Sequence, residues 1–189
     1  MRSISSRDGP DSKVGKTDEG LARNLPYATW GRSRSLRLRD FDYASPGVAY
    51  HIVVGSHRSR DIFTEQSLNR RVIGILKTAS RLHGYDLLAY CLMPDHLHVL
   101  VQAGESPRNL RDFVRRFKSF SSATTRSVAT PVATKIMLWQ RGFYEHIIRK
   151  DEDVGDVADY IMGNPARKGL ALEGQQYEWC ELIERSATS

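Results

Sequence analysis

Apolar residues recur along this chain in two rhythms. The segment GVAYHIVVGS (47–56) is dense in β-branched and aromatic residues and predicts a strand. Leu68, Val72, Ile75, Leu76, Ala79 and Leu82 then fall at helical spacing, and Gly84 ends that helix. YDLLAYCLM (85–93) predicts a second strand, Pro94-Asp95 a tight turn, and HLHVLVQA (96–103) a third strand, its hairpin partner. Leu110, Phe113, Val114, Phe117 and Phe120 mark a second amphipathic helix after Pro107. SSATTRSVATPVATK (121–135) has no clear period, and GFYEHIIRK (142–150) predicts a fourth strand. A third helix opens near Asp151, where DED suits the positive end of the helix dipole. It carries Val154, Val157, Ala158 and Ile161 on one stripe and ends at Asn164-Pro165.

The predicted order is β-α-β-β-α-β-α. It suits an α+β, ferredoxin-like fold: a mainly antiparallel sheet of four to five strands, helices on one face, and an added C-terminal helix. Residues 43–180 are expected to form a single domain. Residues 1–42, polar and rich in Ser and Arg, are expected to be a disordered basic arm, and 181–189 a tail.

The chain has 189 residues, enough for one domain with a core. No apolar run approaches the ~20 residues that span a bilayer, and the N-terminus lacks the apolar stretch of a secretory signal. The expectation is a cytoplasmic protein without membrane contact. The cysteines, Cys91 and Cys180, are too sparse for a disulfide framework or a zinc site and are expected as free thiols.

A net charge of +6 favours polyanionic partners. Residues 105–126 concentrate it, with Arg108, Arg111, Arg115, Arg116, Lys118 and Arg126 against Glu105 and Asp112. Arg108, Arg111, Arg115, Arg116 and Lys118 are the candidate DNA phosphate contacts, against a merely solvated helix face. Arg32, Arg34, Arg37 and Arg39 in the arm fit either phosphate binding or solvation.

The chemistry concentrates at His96-Leu97-His98. Side chains alternate on a strand, so the two imidazoles share a face with Cα atoms roughly 6.5–7 Å apart, and can converge on one metal ion. Leu97, Val99 and Val101 point to the core, leaving a wet face at the strand's start. The competing reading is two ordinary surface histidines. Downstream, Tyr160 and Asn164 are four residues apart and share one helix face. The Asn164 amide oxygen suits Mg²⁺ or Mn²⁺, and the phenol stands one turn away. A half-packed tyrosine and a helix-capping asparagine explain the same pair. Breaking a phosphodiester requires neutralised phosphate charge and a placed nucleophile. A tyrosyl ester conserves the bond, so strands can be rejoined.

MPDHLHVLV, the basic LRDFVRRFKSF helix, WQRGFYEHIIRKDEDVGDVADYIMGNPARKGL and the late YEW together resemble the REP-associated tyrosine transposases. These belong to the single-tyrosine HUH superfamily (His, bulky hydrophobic, His). The resemblance runs from about Tyr50 to Trp179. It implies that His96 and His98 are the HUH pair, Asn164 the third metal contact and Tyr160 the nucleophile, with Mg²⁺ or Mn²⁺ as cofactor. It further implies cleavage of single-stranded DNA at repeated extragenic palindromes folded as hairpins, through a 5′-phosphotyrosine, by a monomer or homodimer. Gly163, inside the YIMGN turn, departs from what a helix prefers, at roughly 1 kcal/mol of propensity. Two other readings stand beside this one: a metal phosphodiesterase in which water attacks, and a non-catalytic nucleic-acid-binding module.

Overall fold

The computed structural model describes residues 44–126, 137–150 and 152–183. The basic arm expected over 1–42 and most of the aperiodic stretch at 121–135 lie outside these residues. Strand β1 (Ala49–Gly55) leads to helix α1 (Gln66–Leu82), followed by β2 (Tyr85–Leu92) and β3 (His96–Ala103). Helix α2 (Leu110–Arg126), β4 (Tyr144–Ile147), α3 (Val154–Met162), the single turn α4 (Asn164–Arg167) and β5 (Cys180–Leu182) complete the order. The sheet runs β4-β1-β3-β2-β5 and every pairing is antiparallel. Its first four strands have the split β-α-β arrangement expected of a ferredoxin-like fold. Among the described residues no helix is long and apolar enough to cross a membrane.

The alternation of side chains splits the core in two. Leu97, Val99, Val101 and Ala103 of β3 face α1 and α2, where Val72, Leu76, Phe113 and Phe117 close over them. The other face carries Ala49, Cys91, Met93 and Leu100, and is covered by Val157, Ala158, Tyr160 and Ile161 of α3. Burying aliphatic side chains of this size contributes about 1.5–3 kcal/mol each. That apolar stripe, rather than helix propensity, holds so short a helix on the sheet. An irregularity between Leu87 and Ala89 shifts the register of β2. Tyr85 and Leu87 before it, and Tyr90 and Leu92 beyond it, therefore reach the same core.

Local signals explain the ends. Gly84 takes a φ of +74°, and a Cβ there would stand 3.0 Å from the Ser106 carbonyl oxygen, so glycine both turns the chain and admits the neighbouring loop. Helix α3 starts three residues after Asp151. Asp153 is its N-cap, accepting from the Gly155 amide at 2.7 Å. Two expectations change. The wet face at the start of β3 is buried, because α3 lies across it. Cys91 and Cys180, placed opposite one another on β2 and β5, are joined as a disulfide rather than standing as free thiols. Strand β5, which has too little pattern to be seen in sequence, continues the sheet two residues past the boundary expected at 180.

Candidate active site

Three strands and one helix bring the site together. Antiparallel pairing sets Val53 of β1 opposite His98, and His51 opposite His146 of β4. His51 and His98 therefore project from the same sheet face two residues out of register. Their rings stack at 5.2 Å, and His51 Nε2 lies 3.0 Å from His98 Nδ1. On the other side of the His98 ring, its Nε2 lies 3.0 Å from His96 Nε2. His96 Nδ1 in turn donates to the Asp95 carboxylate at 2.5 Å. All three imidazoles are buried.

Asp95 gives this row a direction. A carboxylate only accepts, so the His96 proton sits on Nδ1 and its Nε2 presents a lone pair. His98 Nε2 then donates to His96, and His98 Nδ1 accepts from His51. Moving the His98 proton to Nδ1, with His51 Nε2 as its acceptor, turns both facing Nε2 atoms into lone-pair donors. Burial keeps His51 and His98 neutral. The pKa of His51 is lowered to about 3, by burial first and then by the charges of His146 and His96. Burial, with His51, His96 and Arg167 adding to it, holds His98 well below its ordinary value. The hydrogen bond from His96 lowers the Asp95 carboxyl.

The residues present fit a divalent cation. Two neighbouring ligands on an octahedral ion, with bonds of about 2.1 Å, stand about 3.0 Å apart. That is the Nε2–Nε2 separation of His96 and His98. Among the described residues no three His, Cys, Asp or Glu side chains converge to hold a metal alone. His51 Nε2 is engaged instead with the far nitrogen of His98, at 3.0 Å. Asn164 is buried one turn after Tyr160, and its amide nitrogen donates to the carbonyls of Tyr160 at 3.1 Å and Ile161 at 3.4 Å. The nitrogen thus caps the helix end, and the amide oxygen is the atom suited to a cation.

Tyr160 meets the histidines from above. Its ring stands edge-on to His98 at 6.1 Å and to His51 at 6.2 Å. Burial raises the phenol pKa, and the positive charge of Arg167 opposes that rise. His146 also faces this side, bonded to the Glu152 carboxylate at 2.9 Å.

The basic helix is placed elsewhere. Phe113, Val114 and Phe117 root α2 on the opposite sheet face, so Arg108, Arg111, Arg115 and Arg116 lie exposed on the far side from the histidines. Arg115 pairs with Asp112 at 2.8 Å. Lys118 donates to the carbonyls of Gln140 at 2.6 Å and Gly142 at 2.7 Å, and its burial lowers its pKa to about 8. Arg111, Arg115, Lys118 and Phe143 line an open cavity of about 320 Å³ beside β4. Trp139 is core, its indole N–H donating to the Ser121 hydroxyl at 2.8 Å. Two residues at the site escaped the sequence reading. His51 was visible only as a polar break in an apolar strand. Arg167 lay unremarked within the NPARKG run.

The profile of the family described as "Transposase IS200 like" matches residues 44–164, more than half of the chain and every element of the histidine site. The chain belongs to this family. It is similar to the REP-associated tyrosine transposase of Escherichia coli (strain K12), at 26% identity over 60% of this chain and 62% of that protein. A Haemophilus influenzae protein provisionally given the same designation is 26% identical over 68% of this chain and 75% of its own length. Among solved structures, this IS200-like transposase resembles a REP-associated tyrosine transposase bound to a REP hairpin. The TM-score is 0.56 at 20% identity, over 69% of this chain and 74% of the other, a likeness of fold.

Proposed function

We propose that this IS200-like transposase cuts and rejoins single-stranded DNA at repeated palindromic hairpins through a 5′-phosphotyrosine intermediate formed on Tyr160. The approach of Tyr160 to His98 within one chain, with ring centroids 6.1 Å apart, carries this reading. No second subunit is needed to bring a phenol to the histidines, which favours a monomer acting in cis.

His96, His98 and Asn164 would hold Mg²⁺ or Mn²⁺. When bound, such an ion neutralises charge on the phosphate oxygens and orients the group. The chain supplies the rest. Asp95 and His51 hold the two imidazoles in rotamer and tautomer. Helix α3 covers the histidine face of the sheet and carries Tyr160 on it. In the step itself, the Tyr160 oxygen attacks phosphorus as its proton leaves to a base. The bond from phosphorus to the 3′ oxygen breaks, and that oxygen takes up a proton. The tyrosyl ester retains the bond, so a 3′ hydroxyl can reverse the step and rejoin a strand. Arg108, Arg111, Arg115 and Arg116 would bind flanking phosphates across the β4 edge of the sheet, with Lys118 as a weaker contact because two carbonyls already hold it. The covered sheet face weighs against a non-catalytic module, which reads bases with exposed sheet aromatics.

The test incubates a single-stranded hairpin oligonucleotide with the protein and Mn²⁺, then denatures it. A protein–DNA adduct that disappears in Tyr160→Phe is the expected result. Cleavage that persists in Tyr160→Phe means water attacks, and overturns the tyrosine reading.

A further inference from the structure

The turn after α3 has a construction that catalysis by Tyr160 does not by itself explain. Helix α4 folds the chain back so that Arg167, seven residues on, returns to the tyrosine. Its guanidinium carbon stands 4.5 Å from the centroid of the Tyr160 ring, and its Nη2 donates to the Tyr160 backbone carbonyl. One side chain thus grips both the ring and the backbone of the same residue. A guanidinium is planar and stacks on an aromatic face while keeping its hydrogen-bond fork, which a lysine does not.

Gly163 belongs to the same device. The residue has an ordinary helical φ of −77°, so no backbone strain demands glycine. A Cβ at this position would lie 2.6 Å from Arg167 Nη1 and 3.3 Å from the Asp159 carbonyl oxygen. The glycine that helix propensity disfavours leaves the space the guanidinium occupies. Displacing that guanidinium is the easiest way for the structure to accept a side chain there, because it is the far end of a flexible chain.

We propose that Arg167 is a positioning residue for the nucleophile: it clamps the Tyr160 ring in its attacking orientation over the histidine face, and Gly163 is glycine to admit the clamp. This rests on Tyr160 being the nucleophile. Rotation about Cβ–Cγ leaves a tyrosine's oxygen on its axis, but rotation about Cα–Cβ swings that oxygen, at the far end of the ring, through the widest arc. A small rotation therefore moves the oxygen off the line of attack without changing the fold or the DNA surface. The clamp restricts that rotation by occupying one ring face, while His51 and His98 meet the ring edge-on.

The experiment uses the full chain, Mn²⁺ and a single-stranded hairpin oligonucleotide. It measures the single-turnover rate of adduct formation and, separately, hairpin affinity by fluorescence anisotropy. Arg167→Met keeps the stem and removes the planar cation. Gly163→Ala keeps the cation and displaces it. Each is expected to slow adduct formation on the order of 10–100-fold, with hairpin affinity within about threefold of the parent. The double variant should be no slower than the slower single one, because both remove the same contact. Arg167→Lys should recover little.

An Arg167→Met rate within about twofold of the parent overturns the proposal, as does a loss confined to hairpin affinity, which would make Arg167 a DNA contact instead. Multiplicative effects in the double variant overturn it too. If Arg167→Met does not fold, Gly163→Ala decides the matter through the same rate and affinity. Parent protein that forms no adduct overturns the tyrosine reading itself, and this inference with it. Adduct formed at an unchanged rate in both variants overturns this inference alone.

Discussion

Replacing His51 with phenylalanine separates the ring that fills the sheet face from the nitrogen that holds His98. His51 is fully buried and stacks on His98 at 5.2 Å, so an aromatic ring at this position preserves most of the packing. It loses the 3.0 Å hydrogen bond to His98 Nδ1. A buried imidazole nitrogen left without that partner costs about 1–3 kcal/mol of stability. The larger loss falls on the metal site. His98 can offer its Nε2 lone pair only when its proton sits on Nδ1, and His51 is the acceptor that stabilises this tautomer. Losing such an outer partner typically weakens metal binding about 10–100-fold, or about 1.4–2.7 kcal/mol. Titration calorimetry with Mn²⁺ at neutral pH measures the affinity, and urea unfolding without metal measures the stability. His51→Gln, whose amide can replace one hydrogen bond, should recover part of the affinity. Mn²⁺ affinity within about threefold of the parent in His51→Phe, while His98→Ala abolishes binding, would refute the tautomer argument.

Two further expectations concern charge. The folded pKa of His51, about 3, lies below the ordinary value of 6.5, and that of His98 is shifted the same way. Between those values the unfolded chain binds protons that the folded chain refuses. The stability from these neutral imidazoles is therefore complete above about pH 6.5 and is lost as pH falls below it, toward 3 in the case of His51, with a slope of up to about 1.4 kcal/mol per pH unit for each group. Urea midpoints that stay flat from pH 7 to 4.5 would contradict this. On α2, Arg111→Ala should weaken hairpin binding and reduce its salt slope by about 1, whereas Lys118→Met should change the slope less and cost stability. Anisotropy titrations across a salt series, with thermal unfolding, separate the two, and equal slopes would contradict the anchoring role of Lys118.

Much of the fold was legible because each element announces itself over a short window. The strict alternation around Leu97, Val99 and Val101 assigned β3 and its faces, and the 3.6-residue stripe through Val72, Leu76 and Ala79 assigned α1. His96, His98, Tyr160 and Asn164 were legible as candidates because close spacing in sequence fixes which side chains share a face. The three residues of β5 carry too little pattern to register, and they are a strand only because the β2 edge was open to pair with them. The same edge brought Cys180 opposite Cys91, a meeting across 89 residues that no local spacing encodes.

Periodicity and functional groups along the chain were enough to identify the longer strands and helices and the residue types able to do phosphoryl chemistry. The folding of the whole domain set α3 over the histidine face and buried it. It also decided that His51, forty-seven residues before His98, stands behind it, and that Arg167 returns over Tyr160 through the gap left by Gly163. These depend on which strands become neighbours and which helix covers which face. That outcome is set by burying apolar surface across the whole domain, and no local window of sequence contains it.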